Sequence, residues 1–367
     1  MNKRKTILIS CGGTGGHITP GVALGEAIKN EMSEYDVMYV FSGKKIEKMF
    51  ISDIKENYVI IKEIKFSGIK DSLRSIIDFF LGVMKIVKVF FEKKIYFVVG
   101  FGSATSLIAI ISGILFFKPY ILLEQNTVMG RANRVASLLA KKIYLSFPLK
   151  KRNKASKYLV TGNPMRESLI KGKLLESEKE KRISGLDLNR VTLLIIGGSQ
   201  GALSLNKAMA LYATDLIKEV PNIQFIHVSG SNGYSELSEV YSKSGVPFIL
   251  KEFADDMPRL YAMSDIALSR SGASTVFELS YFSIPAVLVP YPYAKDMHQN
   301  SNADYVAKSG GVMVFEDEDL KDREKFLKIF KELLLNRNKR QLMAKAINNS
   351  LPHDAAMSIV KDMGKFL

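Results

Sequence analysis

Short apolar runs rich in β-branched residues alternate with helical segments along the whole of the 367-residue chain. This alternation is typical of α/β folds, in which helices cover both faces of a parallel sheet. The length exceeds that of a common single domain, so we expect two domains. The predicted strands are 6–10, 36–41, 59–64, 95–99, 120–123, 143–145 and 157–160 in the first half, and 191–196, 223–228, 247–250, 266–269 and 286–289 in the second.

Both halves of the chain open with an apolar strand that runs into a glycine-rich turn. The first such segment is Thr6–Gly16 and the second is Thr192–Gly201. We therefore expect two Rossmann-like domains facing a central cleft at the carboxyl ends of their strands, where doubly wound folds bind ligands. The predicted division is an N-terminal domain over 1–163, a C-terminal domain over 164–340, and a C-terminal helix over 341–367 that packs across both domains.

Positive charge is concentrated in the first of these domains. The net charge is +15; residues 1–163 contain 26 Lys and Arg against 12 Asp and Glu, or +14, and the remaining 26 and 25 give +1. This imbalance suits an anionic partner, either nucleic acid or anionic lipid, and the alternative is a solvated basic face without a partner. The single cysteine, Cys11, cannot form an internal disulfide, and the basic N-terminus leads straight into a strand, which indicates a reducing compartment such as the cytosol.

Two apolar segments bear on membrane attachment. Residues 95–117 carry no charge, but glycines and small polar residues at 100–106 predict a strand, a turn and a helix start, so we predict no transmembrane helix. In Leu73–Phe91 the charged residues share one narrow helical stripe and the rest is apolar. A helix with so wide an apolar arc is either deeply buried or docked in a membrane interface. The charged residues are Arg74, Asp78, Lys85 and Lys88.

The glycine turns exclude two classes of nucleotide-binding protein. Neither contains the Gly-Lys-Ser/Thr of phosphate-loop NTPases. Ile18 occupies the last glycine position of G-x-G-x-x-G, and the second strand ends at Val40–Gly43 without an acid for a ribose hydroxyl, which disfavours NAD.

A third turn, Arg270–Glu278, is more specific. Small residues open a helix there, so its N-terminal N–H groups can receive a diphosphate. Glu278 lies about one turn inside, where its carboxylate can accept from two ribose hydroxyls, or alternatively interacts only with the helix dipole. Gln299, in the next loop, can offer an amide to sugar hydroxyls.

Six motifs in register resemble a family of bacterial peptidoglycan glycosyltransferases. They are Gly12–His17, Glu124–Asn126, Gly162–Arg166, Gly197–Gly201, Arg270–Glu278 and Asp296–Asn300. The family moves N-acetylglucosamine from UDP-N-acetylglucosamine to the undecaprenyl-diphosphate-linked acceptor lipid I, making lipid II. The resemblance implies two Rossmann-like domains of the B-type glycosyltransferase fold, no metal or cofactor, no nucleic acid, and peripheral attachment to an anionic membrane surface at the cytoplasmic face of the inner membrane.

The resemblance also implies roles for individual residues. The segment Thr14–His17 would lie near the donor sugar and the acceptor diphosphate, Asn126 near the sugar, and Arg166 and Ser199 near the donor diphosphate. Uracil would contact the main chain at Phe253 and Ala254, and 273–278 would carry phosphate and ribose. The implied substrate-binding residues are Thr14, Gly15, Gly16, His17, Asn126, Arg166, Ser199, Ala254, Ala273, Ser274, Thr275, Val276, Phe277, Glu278 and Gln299.

The catalytic base is predicted to be His17 or Glu124. His17 follows a glycine turn and carries a side chain that titrates near neutrality; alternatively it stays neutral and orients the acceptor. His227 ends a core strand and is interpreted as structural. Two other functions remain open: transfer to another lipid such as diacylglycerol, and a non-enzymatic nucleotide-sugar or nucleic-acid binding module. The absence of interleaved aromatic and basic residues disfavours RNA recognition.

Overall fold

The computed structural model describes residues 4–52, 54, 56–62, 64, 69–149, 156–198 and 201–367. The chain forms two compact units. Unit 1 is Met1–Arg166 together with His353–Leu367, and unit 2 is Glu167–Pro352.

Unit 1 is built on a parallel sheet of seven strands. Its elements up to residue 166 are β1 (Lys5–Ser10), α1 (Gly15–Glu31), β2 (Tyr35–Phe41), α2 (Lys45–Ile51), β3 (Asn57–Ile60), α3 (Ile69–Glu92), β4 (Lys94–Gly100), α4 (Ala104–Leu115), β5 (Tyr120–Glu124), α5 (Arg131–Ala136), β6 (Lys142–Leu145) and β7 (Tyr158–Val160). The strand order is β3-β2-β1-β4-β5-β6-β7.

Unit 2 is built on a parallel sheet of six strands. Its elements are α6 (Glu167–Gly172), α7 (Ser177–Ile183), β8 (Val191–Ile196), α8 (Leu203–Glu219), β9 (Ile223–Val228), α9 (Tyr234–Lys243), β10 (Phe248–Lys251), α10 (Met257–Ala262), β11 (Ile266–Ser269), α11 (Ala273–Tyr281), β12 (Ala286–Leu288), α12 (His298–Ala307), β13 (Val312–Val314), α13 (Arg323–Leu335) and α14 (Arg337–Asn348), with 3-10 helices at Lys295–Met297 and Asp317–Lys321. The strand order is β10-β9-β8-β11-β12-β13.

The C-terminal segment corrects one prediction. Residues 341–367 are not one helix: α14 ends at Asn348 in unit 2, and α15 (Ala355–Met363) packs on α1 in unit 1. Pro352 lies in the break, where it lacks the N–H that a continuous helix would need. The two units divide after Arg166, three residues beyond the predicted boundary.

Helices cover both faces of the unit 1 sheet, as the alternation of elements predicts. Along β1, Ile7 and Ile9 enter one core cluster and Leu8 enters the other, because successive strand side chains point to opposite faces. The first cluster is shared with α1, α2 and α15, and the second with α3, α4 and α5. The predicted strands are observed with shifted ends, and β13 was not predicted.

Helix α3 is not deeply buried. Ile86, Val89 and Phe90 enter the core, but a second apolar face is 49% to 74% exposed. Its side chains are Ile76, Ile77, Phe80, Leu81, Met84 and Phe91. None of the described helices is both long enough and apolar enough to cross a bilayer.

Candidate functional site

The strand order of each sheet reverses at one point. In unit 1 the chain runs outward from β1 through β2 to β3 and then returns to the other side of β1 with β4; in unit 2, β8 and β11 are related in the same way. Doubly wound folds bind ligands beyond the carboxyl ends of the strands at such a reversal. The turns at 12–17, 100–106, 197–201 and 270–278 directly follow these four strands. Each unit therefore carries one candidate ligand site.

The predicted residues Thr14–His17 form the start of α1. Thr14 is the N-cap residue, and the N–H groups of His17 and Ile18 donate to its carbonyl oxygen at 2.9 and 3.1 Å. Thr14 and Gly16 are exposed, and His17 is half-buried. A helix start carries partial positive charge, so this position suits an anionic or hydroxyl-bearing ligand.

A buried carboxylate that the sequence analysis missed holds this turn. Glu47, in the first turn of α2, is fully buried and accepts from the Gly13 N–H at 2.8 Å, the Ser42 N–H at 3.0 Å, the Ser42 hydroxyl at 2.6 Å and the Lys44 N–H at 3.1 Å. Gly13 has a φ of +137°, which favours glycine. The N-cap residue is Lys44 rather than Ser, Thr, Asp or Asn, so the usual capping signal is absent from the sequence.

Glu124 orders the loop that carries Asn126. It is 3% exposed; one carboxylate oxygen accepts from the Asn126 N–H at 3.1 Å, and the other from the Gly130 N–H at 3.0 Å and the Asn133 amide at 2.9 Å. Burial raises the pKa of this carboxyl above its usual value, and the hydrogen bonds from Asn133 and the backbone oppose that shift. Asn126 itself is half-buried at the carboxyl edge of the sheet.

Arg166 is the last residue of the first of the two chain segments that form unit 1. Its guanidinium is 5.8 Å from the centroid of the Phe50 ring. It lines a cavity of about 140 Å³ together with Glu26 and Glu56. Its contact with a donor diphosphate stays a prediction, and Ser199, the other residue given this role, lies outside the described residues.

In unit 2 a buried arginine ties together the loops at the strand reversal. Arg270, which follows β11, donates to the carbonyl oxygens of Val289 and Pro290 at 3.1 Å each and to the Ser204 hydroxyl at 2.7 Å. It also forms an ion pair with Asp317 at 2.7 Å. The segments after β11 and β12, the start of α8 and the 3-10 helix at 317–321 are thereby held at one place.

Helix α11 begins at this place, as the third motif predicts. Gly272 is the N-cap residue, and the first intrahelical bond from Val276 reaches the Gly272 carbonyl at 3.0 Å. Helix geometry leaves the N–H groups of 273–275 without intrahelical acceptors. The side chains of Val276 and Phe277 are buried in the core, so their predicted contribution to a ligand site can involve only the main chain.

Glu278 lies in the second turn of α11 and is half-buried. Its carboxylate accepts from the hydroxyl of Tyr261 in α10 at 2.7 Å. Burial, and secondarily the Glu278 charge, raise the pKa of Tyr261 well above its usual value, so this hydroxyl remains a donor. The hydrogen bond fixes one carboxylate oxygen of Glu278 and favours a role beyond interaction with the helix dipole.

Ala254 lies in the loop after β10, whereas Gln299, which was predicted in a loop, lies in the first turn of α12. The Gln299 side-chain oxygen accepts from the Tyr291 N–H at 3.0 Å, and its backbone oxygen accepts from the Ser271 hydroxyl at 2.8 Å. Ala254 is buried and Phe253 is exposed after β10. The structure thus brings Gln299 to the turn that precedes α11.

The acidic residues offer no metal cluster in the part of the chain that the structure describes. The sequence contains one Asp-x-Asp, Asp317–Asp319. Asp317 pairs with Arg270, and Asp319 pairs with Lys325 at 2.7 Å. Among the described residues, no three His, Cys, Asp or Glu side chains lie close enough together to hold a metal ion. Metal independence remains a prediction.

Two family models match the chain. The N-terminal domain of glycosyltransferase family 28 matches residues 7–145, and the C-terminal domain of the same family matches residues 192–359. Together with two parallel-sheet units, each with a glycine turn at its strand reversal, these matches define a two-domain glycosyltransferase.

Similar proteins narrow the family further. A relative from Aquifex aeolicus is 35% identical over 333 residues, which are 90% of this chain and 92% of the relative. One from Thermodesulfovibrio yellowstonii is 31% identical over 344 residues, 92% and 91% of the two chains. Both are named UDP-N-acetylglucosamine--N-acetylmuramyl-(pentapeptide) pyrophosphoryl-undecaprenol N-acetylglucosamine transferase.

A solved structure shows the same fold. The crystal structure of MurG from Acinetobacter baumannii is 23% identical in sequence and superposes with a TM-score of 0.75 over 99% of this chain and 100% of that one. This chain belongs to glycosyltransferase family 28 and, within it, to the family of N-acetylglucosamine transferases that these relatives represent.

Proposed function

We propose that this chain is an inverting glycosyltransferase that transfers N-acetylglucosamine from UDP-N-acetylglucosamine to the C4 hydroxyl of the N-acetylmuramoyl-pentapeptide of lipid I, giving lipid II and UDP. The observation that carries the proposal is the nearly full-length similarity to relatives named for this donor and this acceptor. Those names do not support diacylglycerol as the acceptor. The product places the enzyme in peptidoglycan synthesis.

We assign the donor to unit 2. The first-turn N–H groups of α11 would receive the diphosphate, Glu278 would accept from the ribose hydroxyls, and the main chain at Ala254 would contact uracil. Two features support this assignment: α11 starts at the strand reversal, and Tyr261 orients Glu278. Gln299 would donate to the sugar, because its amide oxygen is already held by the Tyr291 N–H.

The diphosphate is the leaving group. As the acceptor oxygen bonds to C1 of the donor sugar, the C1–O bond to UDP breaks and UDP departs with the electron pair. The helix start at Ala273–Thr275, Ser199 and the Arg166 guanidinium would stabilise the developing charge, as preorganised donors do. A divalent cation is then not required, because main-chain N–H groups and one guanidinium supply the positive potential.

We propose that His17 is the base that accepts the proton of the acceptor hydroxyl. The imidazole lies at the strand reversal of unit 1, in the turn that Glu47 orders, and it is half-buried rather than enclosed. Glu124, by contrast, has both carboxylate oxygens engaged with its own loop. Asn126 would reach the sugar from that loop. The acceptor-side residues are thus Thr14–His17 and Asn126.

We further propose that unit 1 rests on the cytoplasmic face of the inner membrane. Helices α3, α4 and α5 share one core cluster and hence one face of the sheet. The second apolar face of α3 is exposed there, together with apolar side chains on and after α4 and α5, which are Ile111, Ile114, Leu115, Phe117, Val135, Leu138 and Leu139. An exposed apolar patch of this extent marks an interaction surface.

Exposed cations occur along the same stretch of the chain, on and next to α3 and α5. They are Arg74, Lys85, Lys88, Lys93, Lys94, Arg131, Arg134 and Lys141. Each basic residue near an anionic bilayer contributes about 1 kcal/mol, so several of them together with the apolar side chains give reversible attachment. This arrangement suits an acceptor whose lipid tail stays in the bilayer, and it accounts for the charge of unit 1 without nucleic acid.

The test is transfer of radiolabelled N-acetylglucosamine from UDP-N-acetylglucosamine to purified lipid I, with diacylglycerol as the competing acceptor and EDTA as the chelator. We expect labelled lipid II, no labelled glycolipid, and undiminished turnover in EDTA. Transfer to diacylglycerol alone would contradict the proposed acceptor. Loss of turnover in EDTA that Mg²⁺ restores would contradict the metal-independent mechanism.

A further inference from the structure

The buried carboxylate of Glu47 has no cation among its described partners. These partners are the N–H groups of Gly13, Ser42 and Lys44 and the Ser42 hydroxyl, at 2.6 to 3.1 Å. Each of them donates and the carboxylate only accepts, which is the pattern of an ionised carboxylate. Hydrogen bonds to the charged form keep a buried carboxylate ionised. A negative charge therefore lies beside the first glycine turn, and the proposed mechanism uses the position of this turn but not the charge.

This carboxylate occupies a donor that a phosphate-binding turn would present to its ligand. Glycine turns that bind phosphate aim successive N–H groups at the anion. Here the Gly13 N–H donates to Glu47, and the Gly12 N–H donates to the Val40 carbonyl oxygen at 3.1 Å. Residues 12 and 13 therefore offer no donor to a phosphate, and the charge beside them favours a positive group instead.

His17 contacts the same glycine as Glu47 does. A Cβ at Gly13 would lie 3.4 Å from Nδ1 of His17, and this nitrogen is buried. His17 as a whole is half-buried, which leaves Nε2 as the nitrogen that an acceptor hydroxyl can reach. Glu47 thus holds the N–H of Gly13 while the imidazole lies against its α-carbon, and one residue separates the carboxylate from the ring.

The charge of Glu47 already acts on another group of this core. Burial, and secondarily the Glu47 charge, raise the pKa of the Cys11 thiol above its usual value. A negative charge favours the protonated form of any ionisable group near it. We therefore expect the same direction of effect at His17, where the protonated form is the imidazolium.

Few other charges lie near this turn. The segment 100–115, which includes the turn after β4 and helix α4, contains no charged residue, and the first charged residue of α1 after His17 is Glu26, more than two helical turns further on. Glu124 is bound within its own loop. The remaining titratable groups near α2, α5 and α15 are at least partly exposed, so solvent screens their charge. They are Lys44, Lys45, Lys48, Arg131, His353, Asp354, Lys361 and Asp362.

We infer that Glu47 is a positioning residue for the proton transfer: its buried negative charge, one residue away from the imidazole, stabilises the imidazolium that His17 becomes. This inference rests on the proposed function, in which His17 is the base. As the acceptor oxygen bonds to C1 of the donor sugar, its proton passes to Nε2 of His17, and UDP leaves with the electron pair of the broken C1–O bond. A negative charge that is already in place stabilises the imidazolium without rearrangement at the time of reaction.

Glu47→Gln removes the charge but keeps most of the hydrogen bonds. Its amide oxygen can replace Oε1, which accepts from Gly13 and from both donors of Ser42, so that only the bond from the Lys44 N–H to Oε2 is lost. We expect the acid limb of the kcat–pH profile to move to lower pH by about one unit, because the imidazolium loses its counter-charge, and kcat with lipid I to fall by about tenfold. The KM for UDP-N-acetylglucosamine and the Kd for UDP, measured by calorimetry, should stay unchanged.

Ser42→Ala is the matched control, because it removes one donor to the same carboxylate oxygen and leaves the charge in place. Its acid limb should coincide with that of the wild type. Circular dichroism and the Tm establish that each variant is folded. If Glu47→Gln does not fold, Glu47→Asp replaces it: aspartate keeps the charge on a shorter side chain, so its acid limb should stay in place, and a limb moved to lower pH would count against the inference.

An acid limb that does not move in folded Glu47→Gln would overturn the inference. So would an equal fall in kcat when Glu47→Gln is introduced into the wild type and into His17→Ala, because Glu47 would then not act through His17. Wild-type turnover in His17→Ala would contradict both the assigned base and the inference. Transfer by the wild type to an acceptor other than lipid I would contradict the proposed acceptor alone, because the pH profiles can be recorded with that acceptor.

Discussion

Buried polar side chains hold the candidate site at the residue scale. Glu47, Glu124 and Arg270 are buried and bond to loops at the carboxyl edge of their sheets. The buried His227 bonds to Asn206 of α8, whose amide donates to the Ser229 carbonyl after β9. A buried group left without its partner costs about 1 to 3 kcal/mol. Substitution of these residues is therefore expected to disturb the loops that present the ligand-binding groups.

His17 is the residue whose removal should affect the chemical step most. We expect His17→Ala to lower kcat by ~10² to 10⁴, because a positioned general base contributes about that much. The KM for UDP-N-acetylglucosamine should change little, since the proposed contacts with uracil and ribose lie in unit 2. Steady-state kinetics with lipid I measure both constants.

Glu124→Gln is the matched comparison, because it removes the rival carboxylate while keeping its size. Wild-type turnover in His17→Ala together with loss of turnover in Glu124→Gln would give the role of base to Glu124. Loss in both variants would require the Tm of Glu124→Gln to distinguish a disordered 125–133 loop from lost chemistry.

The stability of unit 2 should depend on pH through His227. The groups that face its ring are the hydroxyl of Tyr241, whose pKa is raised by burial, and the amide of Asn206. The pKa of His227 is about 3 in the folded chain and roughly 6.5 when unfolded. Between these two pH values the unfolded state therefore binds more protons than the folded state. The contribution of the neutral His227 to the free energy of unfolding is complete above about pH 6.5 and is lost as the pH falls toward 3, by up to ~1.4 kcal/mol per pH unit.

Urea unfolding at several pH values between 5 and 8 measures this slope. In His227→Gln the free energy of unfolding should fall less steeply below pH 6.5, because glutamine does not titrate. Equal slopes in the wild type and the variant would show that His227 is not the group responsible.

At the scale of elements, local sequence patterns predict strands and turns better than they predict contacts between segments that are distant in the chain. The strands and the glycine turns were predicted because each depends on a few consecutive residues. Glu47 was missed because its role depends on Gly13, 34 positions away. The break between α14 and α15 could have been predicted from Pro352, which cannot donate within a helix.

The exposed face of α3 should be required for membrane binding. Phe80 and Leu81 are 65% and 61% exposed, so their replacement by serine should leave the core intact. Burying an apolar side chain contributes about 1.5 to 3 kcal/mol, and the double substitution should weaken vesicle binding by about a hundredfold. Co-sedimentation with vesicles of phosphatidylglycerol and phosphatidylcholine measures the change, and high salt should weaken the binding that remains.

Leu335→Ser with Leu342→Ser is the matched control, because these leucines of unit 2 are 54% and 72% exposed. This control should bind vesicles as the wild type does. Equal losses in the two double variants, or equal binding to vesicles without anionic lipid at low and high salt, would contradict the proposed membrane face.

At the scale of the whole molecule, the sequence predicts two α/β units and the concentration of charge in the first. The division after Arg166 lies close to the predicted one, because both fall in the strand-free stretch between β7 and β8. The return of residues 353–367 to unit 1 was not predicted, because nothing in a helical pattern states which sheet the helix will cover. The α1–α15 packing and the hydrogen bond from the Tyr96 hydroxyl to the Leu367 carbonyl, at 3.1 Å, are contacts over long sequence separation.

This return has a consequence for biosynthesis. Ile359 and Met363 contribute to the same cluster as β1 and α1, so the ribosome must translate all of unit 2 before the first-made strands can be fully covered. Nascent chains fold from the N-terminal end as they emerge, but the core of unit 1 cannot be completed until unit 2 has been synthesised. A chaperone that covers the exposed side of the sheet during elongation would be displaced when α15 packs there.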